Sequence, residues 1–318
     1  MKRLGRRCLS ALALLTVGLF PACSNHNLPT GTIEKKYYAQ GPWAVTVKPG
    51  LYCCDSQNHK FDFYYPTNLG ANGFQHPIIT WGNGTFGQAS NVAWFLNHLA
   101  SWGFVVIAAE DSFTGRGQTI LDAANFMVHA NGDSTNIFYH KLNTGQIGAV
   151  GHSQGAGGAG NALIKSGGTI KTMVLIELPA HKWCTDGLEC FNATKVTSGS
   201  VFFIDGSSDL LISPPKQDPG VTTEESAEKF YSDVPAGVLK LKGTLLGPDH
   251  NDITGQPSCQ NAAAQPCVNG VYGYLGYPTA WLMDQLQGDT YAHGAFVNGT
   301  GEIFSQTTNW EYVASNIQ

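Results

Sequence analysis

Apolar and polar positions follow two different patterns along the chain. Residues 44–48 and 61–65 alternate between apolar and polar positions, which is typical of antiparallel strands with one face in water. After them, short apolar runs cover residues 77–81, 104–109, 146–150, 172–176, 201–204 and 238–241. Helix-length segments lie between these runs at residues 92–101, 119–129, 155–165 and 224–231, the last opened by a capping box of Thr222 and Glu225.

This alternation predicts an α/β protein with a mainly parallel sheet and helices on both of its faces. No Pro/Gly/Ser-rich linker interrupts the pattern, so we expect a single domain over residues 23–318. Only about two dozen residues separate the runs at 172–176 and 201–204, which leaves no room for a large lid domain. The tail from Asp289 onward predicts a loop with a short strand or helix.

Residues 1–22 have the organisation of a secretory signal peptide, with a basic start, an apolar stretch and a small-residue exit. The stretch is too short to span a bilayer comfortably, and no later segment is apolar for long enough. We therefore expect an exported bacterial protein that is secreted, periplasmic or anchored to a membrane. Residues 19–23 resemble a lipobox, so lipidation of Cys23 and plain cleavage nearby remain alternatives.

Charge and cysteine content narrow the class of protein. Charged residues make up 13% of the 318 residues, the formal net charge is -5, and no basic run suggests a nucleic-acid partner. Beyond Cys23 six cysteines remain, an even number that predicts disulfides in an exported chain. Their short separations favour Cys184 with Cys190 and Cys259 with Cys267, and leave Cys53 and Cys54 to form a vicinal bridge or stay reduced. Their spacing does not suggest a metal site.

One motif carries the strongest chemical signal. Gly151-His152-Ser153-Gln154-Gly155 directly follows an apolar run and directly precedes a helix-length segment rich in small residues. A serine on a sharp strand-to-helix turn needs small neighbours, because the backbone is strained there and flanking Cβ atoms would clash. The first turn of the following helix offers free N–H groups to a developing oxyanion. The motif therefore predicts that Ser153 is a nucleophile.

A serine nucleophile on such a turn requires an acid and a base, which follow it in the chain order Asp/Glu, then His. Asp209 lies a few residues past the run at 201–204, the usual place for the acid, whereas Asp205 at the run's end could instead anchor the turn. Only His250 and His293 follow Asp209. His250 lies in a turn-rich loop and His293 in the unpatterned tail, so we predict Asp209 as the acid and His250 as the base.

The glycine-rich loop after residues 77–81 predicts the second oxyanion donor. Glycines let the main chain approach a substrate closely, and we predict the backbone N–H groups of Asn83 and Gln154 as the two donors. A simple type I′ turn at Asn83 and Gly84 is the alternative interpretation. The candidates for lining the substrate cleft, each of which could equally be a packing residue, are Trp81, Phe86, Trp183 and Leu210.

Together these motifs resemble a known family. The Trp-Gly-Asn-Gly-Thr loop, Gly-His-Ser-Gln-Gly, Gly-Ser-Ser-Asp-Leu-Leu-Ile-Ser-Pro and the late His look like the cutinase, dienelactone hydrolase and chlorophyllase-like branch of α/β-hydrolases, over roughly residues 60–255. That branch includes polyester-degrading enzymes. The resemblance implies ester hydrolysis through an acyl-enzyme, with Ser153, Asp209 and His250 carried over by position. Bacterial cutinases have a tryptophan shortly after the strand that follows the nucleophile helix, where this chain has Glu177-Leu178-Pro179-Ala180-His181.

The sequence therefore predicts a serine ester hydrolase of the α/β-hydrolase fold that needs no cofactor. The expected substrate is an ester, either bulky or polymeric, and the expected state is a monomer. A serine peptidase or amidase that uses the same three residues is one alternative. A non-catalytic surface lipoprotein that keeps the fold as a binding module is another.

Overall fold

A computed structural model describes residues 27–184, 189–216, 226–256, 259, 262 and 264–318. Across these residues a nine-stranded sheet forms the centre of the molecule, with the strand order β1-β2-β4-β3-β5-β6-β7-β8-β9. The strands are β1 Val45–Tyr52, β2 Lys60–Pro66, β3 His76–Gly82, β4 Val105–Ala109, β5 Leu142–His152, β6 Ile170–Ile176, β7 Ser200–Gly206, β8 Leu239–Leu245 and β9 Trp310–Ser315. Strands β3 to β8 pair in parallel, and β1, β2 and β9 run antiparallel to their neighbours.

Helices cover both faces of this sheet. They are α1 Thr32–Tyr38, α2 Ala93–Ser101, α3 Gln118–Gly132, α4 Gln154–Lys165, α5 Ala227–Asp233, α6 Gly276–Gln287 and α7 Thr290–His293. Neighbouring side chains of a strand point to opposite faces, so a central strand contributes to two apolar layers. Phe202 packs in the layer with α2 and α6, and Phe203 packs in the layer with α3 and α4. The α/β-hydrolase fold predicted from the sequence is confirmed.

The apolar runs of the sequence correspond to β3 to β8, and the two alternating segments correspond to β1 and β2. One expectation about β2 is wrong. The alternation at residues 61–65 predicts a strand with one face in water, but all residues of β2 after its first are buried. The reason is that β2 lies between β1 and β4, where Tyr64 and Phe63 pack into opposite apolar layers.

Two elements were not predicted, α1 and α6, whereas the tail from Asp289 onward, where a loop with a short strand or helix was expected, contains α7 and β9. Helix α6 has no polar stripe, because most of its residues are buried, and Pro278 in its first turn further hides the helical pattern. The predicted helix at residues 224–231 begins later, as α5, where the side chain of Ser226 accepts from the backbone N–H of Lys229. The predicted capping box of Thr222 and Glu225 lies outside the described residues.

The described residues of the connection between β6 and β7 contain no lid domain. They form only two single-turn 3-10 helices, His181–Trp183 and Ala193–Lys195. In the described part of the chain, no helix is both long and apolar enough to cross a membrane. Within the described residues between β6 and β7, no helix longer than a single turn is present.

A substitution at Gly155 tests how closely α4 packs against β3. An alanine Cβ at Gly155 would lie 2.1 Å from the carbonyl oxygen of Gly82, so the backbone of one element would have to move. We expect Gly155→Ala to lower the free energy of unfolding by about 3 kcal/mol. Gly157→Ala is the matched control, because its Cβ would meet only Leu178 and Phe191 at 3.9 Å. Urea unfolding should find the control unchanged or stabilised by up to about 1 kcal/mol, and equal stability of the two variants would contradict the packing described.

Candidate active site

Ser153 occupies a strained turn between the end of β5 and the start of α4. Its backbone has φ 55 and ψ -128, a conformation that a residue with a side chain rarely adopts. The turn is held by two backbone hydrogen bonds, from Ser153 N–H to the carbonyl of Ile176 at 2.9 Å and from Ala156 N–H to the carbonyl of Ser153 at 2.8 Å. Gly151 is required beside it, because a Cβ there would lie 2.0 Å from the carbonyl oxygen of Gly155. The predicted strand-turn-helix context of the serine is therefore present.

Ser153, His250 and Asp209 form a continuous chain of hydrogen bonds. The Nε2 atom of His250 lies 2.8 Å from Oγ of Ser153, and its Nδ1 atom lies 2.5 Å from Oδ2 of Asp209. A carboxylate can only accept, so Nδ1 donates to Asp209 and Nε2 is left to accept from the serine hydroxyl. His250 and Asp209 are both buried. This arrangement allows a histidine to take the proton of a serine hydroxyl.

The surroundings of Asp209 favour its ionised form. Burial alone would raise the pKa of this carboxyl, but the hydrogen bond and charge of His250 lower it below its usual value. The backbone N–H of Ile212 also donates to Oδ1 of Asp209, at 3.0 Å. Asp205, the competing acid, is bound elsewhere: both of its carboxylate oxygens lie 3.2 Å from Oγ1 of Thr244. Asp209 is therefore the aspartate that orients His250 in this structure.

The loop that carries His250 is held by a buried carboxylate. Asp252 is fully buried and accepts backbone N–H groups from Asp249, Val268, Asn269 and Gly270 at 2.5 to 3.0 Å. These bonds join the turn after β8 to a segment sixteen or more residues further along the chain. Sequence analysis missed this role, since an aspartate near a turn gives no sign of such distant partners.

The other histidines occupy different environments. The ring of His152 packs 5.0 Å from that of His250, and its Nε2 donates to the backbone carbonyl of His250 at 2.7 Å. Burial, together with the nearby charge of His250, lowers the pKa of His152 to about 3, so this ring is neutral. The ring nitrogens of His293 lie within hydrogen-bond distance of Asp284 and of the backbone carbonyl of Gln318, and neither partner belongs to the Ser153 site.

The glycine-rich loop after β3 passes over the serine. A Cβ at Gly84 would lie 3.2 Å from Cβ of Ser153, so this glycine makes the close approach. Asn83 is buried: its amide nitrogen donates to the carbonyls of Ala109 and Asp111, and its amide oxygen accepts from Nε1 of Trp81. The side chain of Asn83 thus fixes the loop.

Gln154 is the first residue of α4, where backbone N–H groups have no partner within the helix. Its side chain joins two neighbouring loops, because Oε1 accepts from Gly115 N–H at 3.2 Å and Nε2 donates to Oγ1 of Thr85 at 3.1 Å. The oxyanion roles of the Asn83 and Gln154 backbones stay predictions.

A cavity of about 650 Å³ opens above the serine. Ser153 and His250 line it, together with three of the predicted cleft residues, Trp81, Phe86 and Trp183. The fourth, Leu210, is 71% exposed and is not among the lining residues, so its prediction as a cleft residue is not supported. Apolar lining residues that sequence analysis missed are Val92, Leu178, Phe191, Ile212 and Phe230.

Three disulfides connect the six described cysteines: Cys53 with Cys54, Cys184 with Cys190, and Cys259 with Cys267. Both short-range pairs follow the expected pairing, and the adjacent cysteines form the vicinal bridge. Cys184 and Cys190 line the cavity, so this disulfide closes part of its wall. Among the described residues, Asp252 with Cys259 and Cys267 could offer metal ligands, but both sulfurs are already bonded to each other.

The sheet, its flanking helices and the serine turn define an α/β-hydrolase. A family model described as PET hydrolase-like matches residues 33–218, and the chain belongs to this family. The protein is therefore a carboxylic ester hydrolase of the α/β-hydrolase type. The matched region contains Ser153 and Asp209 and ends before His250, so the place of His250 rests on the geometry above. A search of curated proteins finds no match.

Asp252→Asn tests how far the loop geometry depends on this one carboxylate. The amide nitrogen of asparagine cannot accept, so at least one of the bound N–H groups would lose its partner in a buried site. We expect the free energy of unfolding to fall by about 2 kcal/mol and ester turnover to fall by about tenfold or more, because His250 is displaced. Thermal unfolding and kcat for a soluble ester measure both effects; unchanged values would contradict the role assigned to Asp252.

Proposed function

We propose that the protein is a serine-dependent carboxylic ester hydrolase whose nucleophile is Ser153, whose base is His250 and whose orienting acid is Asp209. The observation that carries this proposal is the hydrogen-bonded chain of these three residues at the floor of an apolar cavity. Membership of the PET hydrolase-like family supports ester hydrolysis independently of that geometry.

The reaction proceeds in two acyl-transfer steps. His250 takes the proton of Ser153 as its Oγ attacks the ester carbonyl, and Asp209 stabilises the imidazolium that forms. The backbone N–H groups of Asn83 and Gln154 hold the oxyanion, and His250 then protonates the leaving alcohol. Water, activated by the same histidine, releases the acid from the serine. The close approach of Gly84 to Ser153 supports the placing of this loop over the carbonyl.

We further propose that the substrate is a bulky or polymeric ester. No lid domain lies over the cavity within the described residues between β6 and β7. Phe86, on the cavity wall, is 78% exposed and contacts the ring of Phe113, which is itself half-exposed, at 5.3 Å. An exposed aromatic pair beside an open cavity can contact an apolar surface that does not enter the cavity. The export signal predicted at residues 1–22, with or without lipidation of Cys23, and a monomeric state complete the proposal.

Ser153→Ala tests the nucleophile. We expect hydrolysis of short and medium-chain p-nitrophenyl esters to fall by at least about 10⁴-fold, and covalent labelling by a fluorophosphonate probe to disappear. Ser134→Ala, an exposed serine in the loop after α3, is the control and should behave as the unmodified protein. A folded wild type that neither turns over esters nor labels would favour the binding-module alternative. Faster turnover of an anilide than of the ester with the same acyl group would favour the peptidase or amidase.

Phe86→Ser tests the surface-presented substrate. Removing an exposed ring should lower product release from an aromatic polyester film by about threefold or more, while turnover of soluble p-nitrophenyl acetate changes little. Trp94→Ser is the matched control, because Trp94 is 49% exposed on α2 and does not line the cavity. Equal losses on film for the two variants, or equal losses on film and soluble ester for Phe86→Ser, would contradict a docking role for Phe86.

A further inference from the structure

A second acid lies directly behind the proposed catalytic pair. Glu177 is the first residue after β6, and its side chain is fully buried. Its φ is 51, in the left-handed region that a glutamate rarely adopts, and its backbone N–H donates to the carbonyl of Ile204 at 2.8 Å. Strained backbone of this kind persists where the surrounding structure imposes it, and it is concentrated at functional sites.

Only one of the two carboxyl oxygens of Glu177 has a hydrogen-bond partner. Its Oε1 accepts from the hydroxyl of Tyr274 at 2.6 Å, while its Oε2 is buried without a hydrogen-bond partner. One carboxylate oxygen of Glu177, one of Asp209 and one ring nitrogen of His250 all lie within 4.8 Å of one another. Buried polar atoms are normally satisfied, so an orphaned oxygen beside an acid–base pair needs an explanation.

The charges around Glu177 favour its neutral form. Burial raises the pKa of this carboxyl well above its usual value, the charges of Asp209 and Asp205 raise it further, and the Tyr274 hydroxyl together with the nearby backbone N–H of Gly206 opposes only part of the rise. A protonated Glu177 carries an O–H donor, for which the ionised Asp209 is the nearby acceptor. With Asp209 neutral, ionisation of Glu177 would cost less, and its carboxylate would be the remaining acceptor beside His250.

We propose that Glu177 is a positioning residue for the catalytic histidine, a second acid that shares one proton with Asp209 and replaces it as the partner of His250 when Asp209 is neutral. The proposal rests on the proposed roles of Ser153, His250 and Asp209. In the resting site the two carboxyl groups hold one proton and one negative charge, and His250 is neutral. The serine proton passes to Nε2 of His250 and then to the leaving alcohol, so the proton of Glu177 is not consumed.

The experiment compares kcat and KM for a soluble p-nitrophenyl ester, from pH 5 to pH 10, in variants at positions 177 and 209. In the native background Glu177→Gln keeps the shape and the neutral donor of a protonated glutamate, so kcat should stay within about threefold of wild type. Asp209→Asn should retain residual activity that rises with pH as Glu177 ionises. The double variant should lose this rise and at least about a further tenfold in kcat, with KM unchanged.

Asp205→Asn in the Asp209→Asn background is the matched control. Asp205 is equally buried and near Asp209, but it is bound to Thr244. Because the charge of Asp205 raises the pKa of Glu177, this variant should shift the rise in activity toward lower pH, but it should leave the residual activity at high pH unchanged within about threefold. The titratable groups that face Glu177 are Tyr274, Asp205, Asp209 and His250; burial raises the pKa of Tyr274 well above its usual value, and His250 is present in every variant.

One result would overturn the proposal and leave Glu177 a structural residue. In it, the fold-losses in kcat of the two single variants multiply to give the loss of the double variant, and Asp209→Asn has the same pH profile with and without Glu177→Gln. If Asp209→Asn does not fold, Glu177→Leu in the native background tests the proposal instead. Leucine removes the donor to Asp209, so this variant should lower kcat at least about tenfold, whereas Glu177→Gln should not. Equal kcat for these two would also overturn it. Ser153→Ala in the same assay distinguishes failure of the Glu177 proposal from failure of the proposed function. Activity retained by Ser153→Ala would refute the serine mechanism itself.

Discussion

The close backbone approach around Ser153 is the constraint on which the rest of the site depends. The end of β5, the start of α4 and the loop after β3 meet there with no room for a Cβ at Gly151 or Gly155. This contact forces Ser153 into its positive φ and points the loop containing Gly84 over the hydroxyl. The strain of the turn is stabilised by the parallel strands on either side, because the Ser153 N–H is bound to the end of β6.

The other two members of the hydrogen-bonded chain come from the ends of neighbouring strands. Asp209 follows β7 and His250 follows β8, and the parallel pairing of these strands brings both loops to one edge of the sheet. Hydrogen bonds within and between loops then fix the angle of each side chain. The backbone N–H of Ile212, in the same loop, donates to Asp209, and Asp252 accepts from the distant backbone N–H of Asn269. The sheet supplies the position, and these loop contacts supply the orientation.

Much of this could be predicted from the sequence, and the missing parts have a physical reason. Buried parallel strands are short apolar runs, and the order Ser153, Asp209, His250 follows from the topology, so both were accessible. Helix α6 was not, because a helix buried on most sides has no periodic polar face. Leu210 was expected in the cleft because of its apolar side chain, but composition does not tell which way a loop residue points.

Glu177 shows the same limit at the level of electrostatics. In the sequence Glu177 is one acidic residue after a strand, in a segment where bacterial cutinases have a tryptophan, and nothing there indicates its partners. In the structure three buried carboxyl groups lie close together, and each has a different partner: His250 for Asp209, Thr244 and the charge of Lys242 for Asp205, and the hydroxyl of Tyr274 for Glu177.

Burying charge without a counter-charge is expensive, so these partners decide which acids ionise. Burial raises the pKa of Tyr274 well above its usual value, so its hydroxyl keeps its proton and gives Glu177 a neutral hydrogen bond rather than a counter-charge. Burial raises the pKa values of both Glu177 and Asp205 well above their usual range, so both favour the neutral form, and an oxygen of Glu177 lies within 4.8 Å of Asp209 and of His250. A neutral acid beside an ionised one lets the negative charge next to His250 move between two residues without any change in the total charge buried, and a site with a single acid cannot do this.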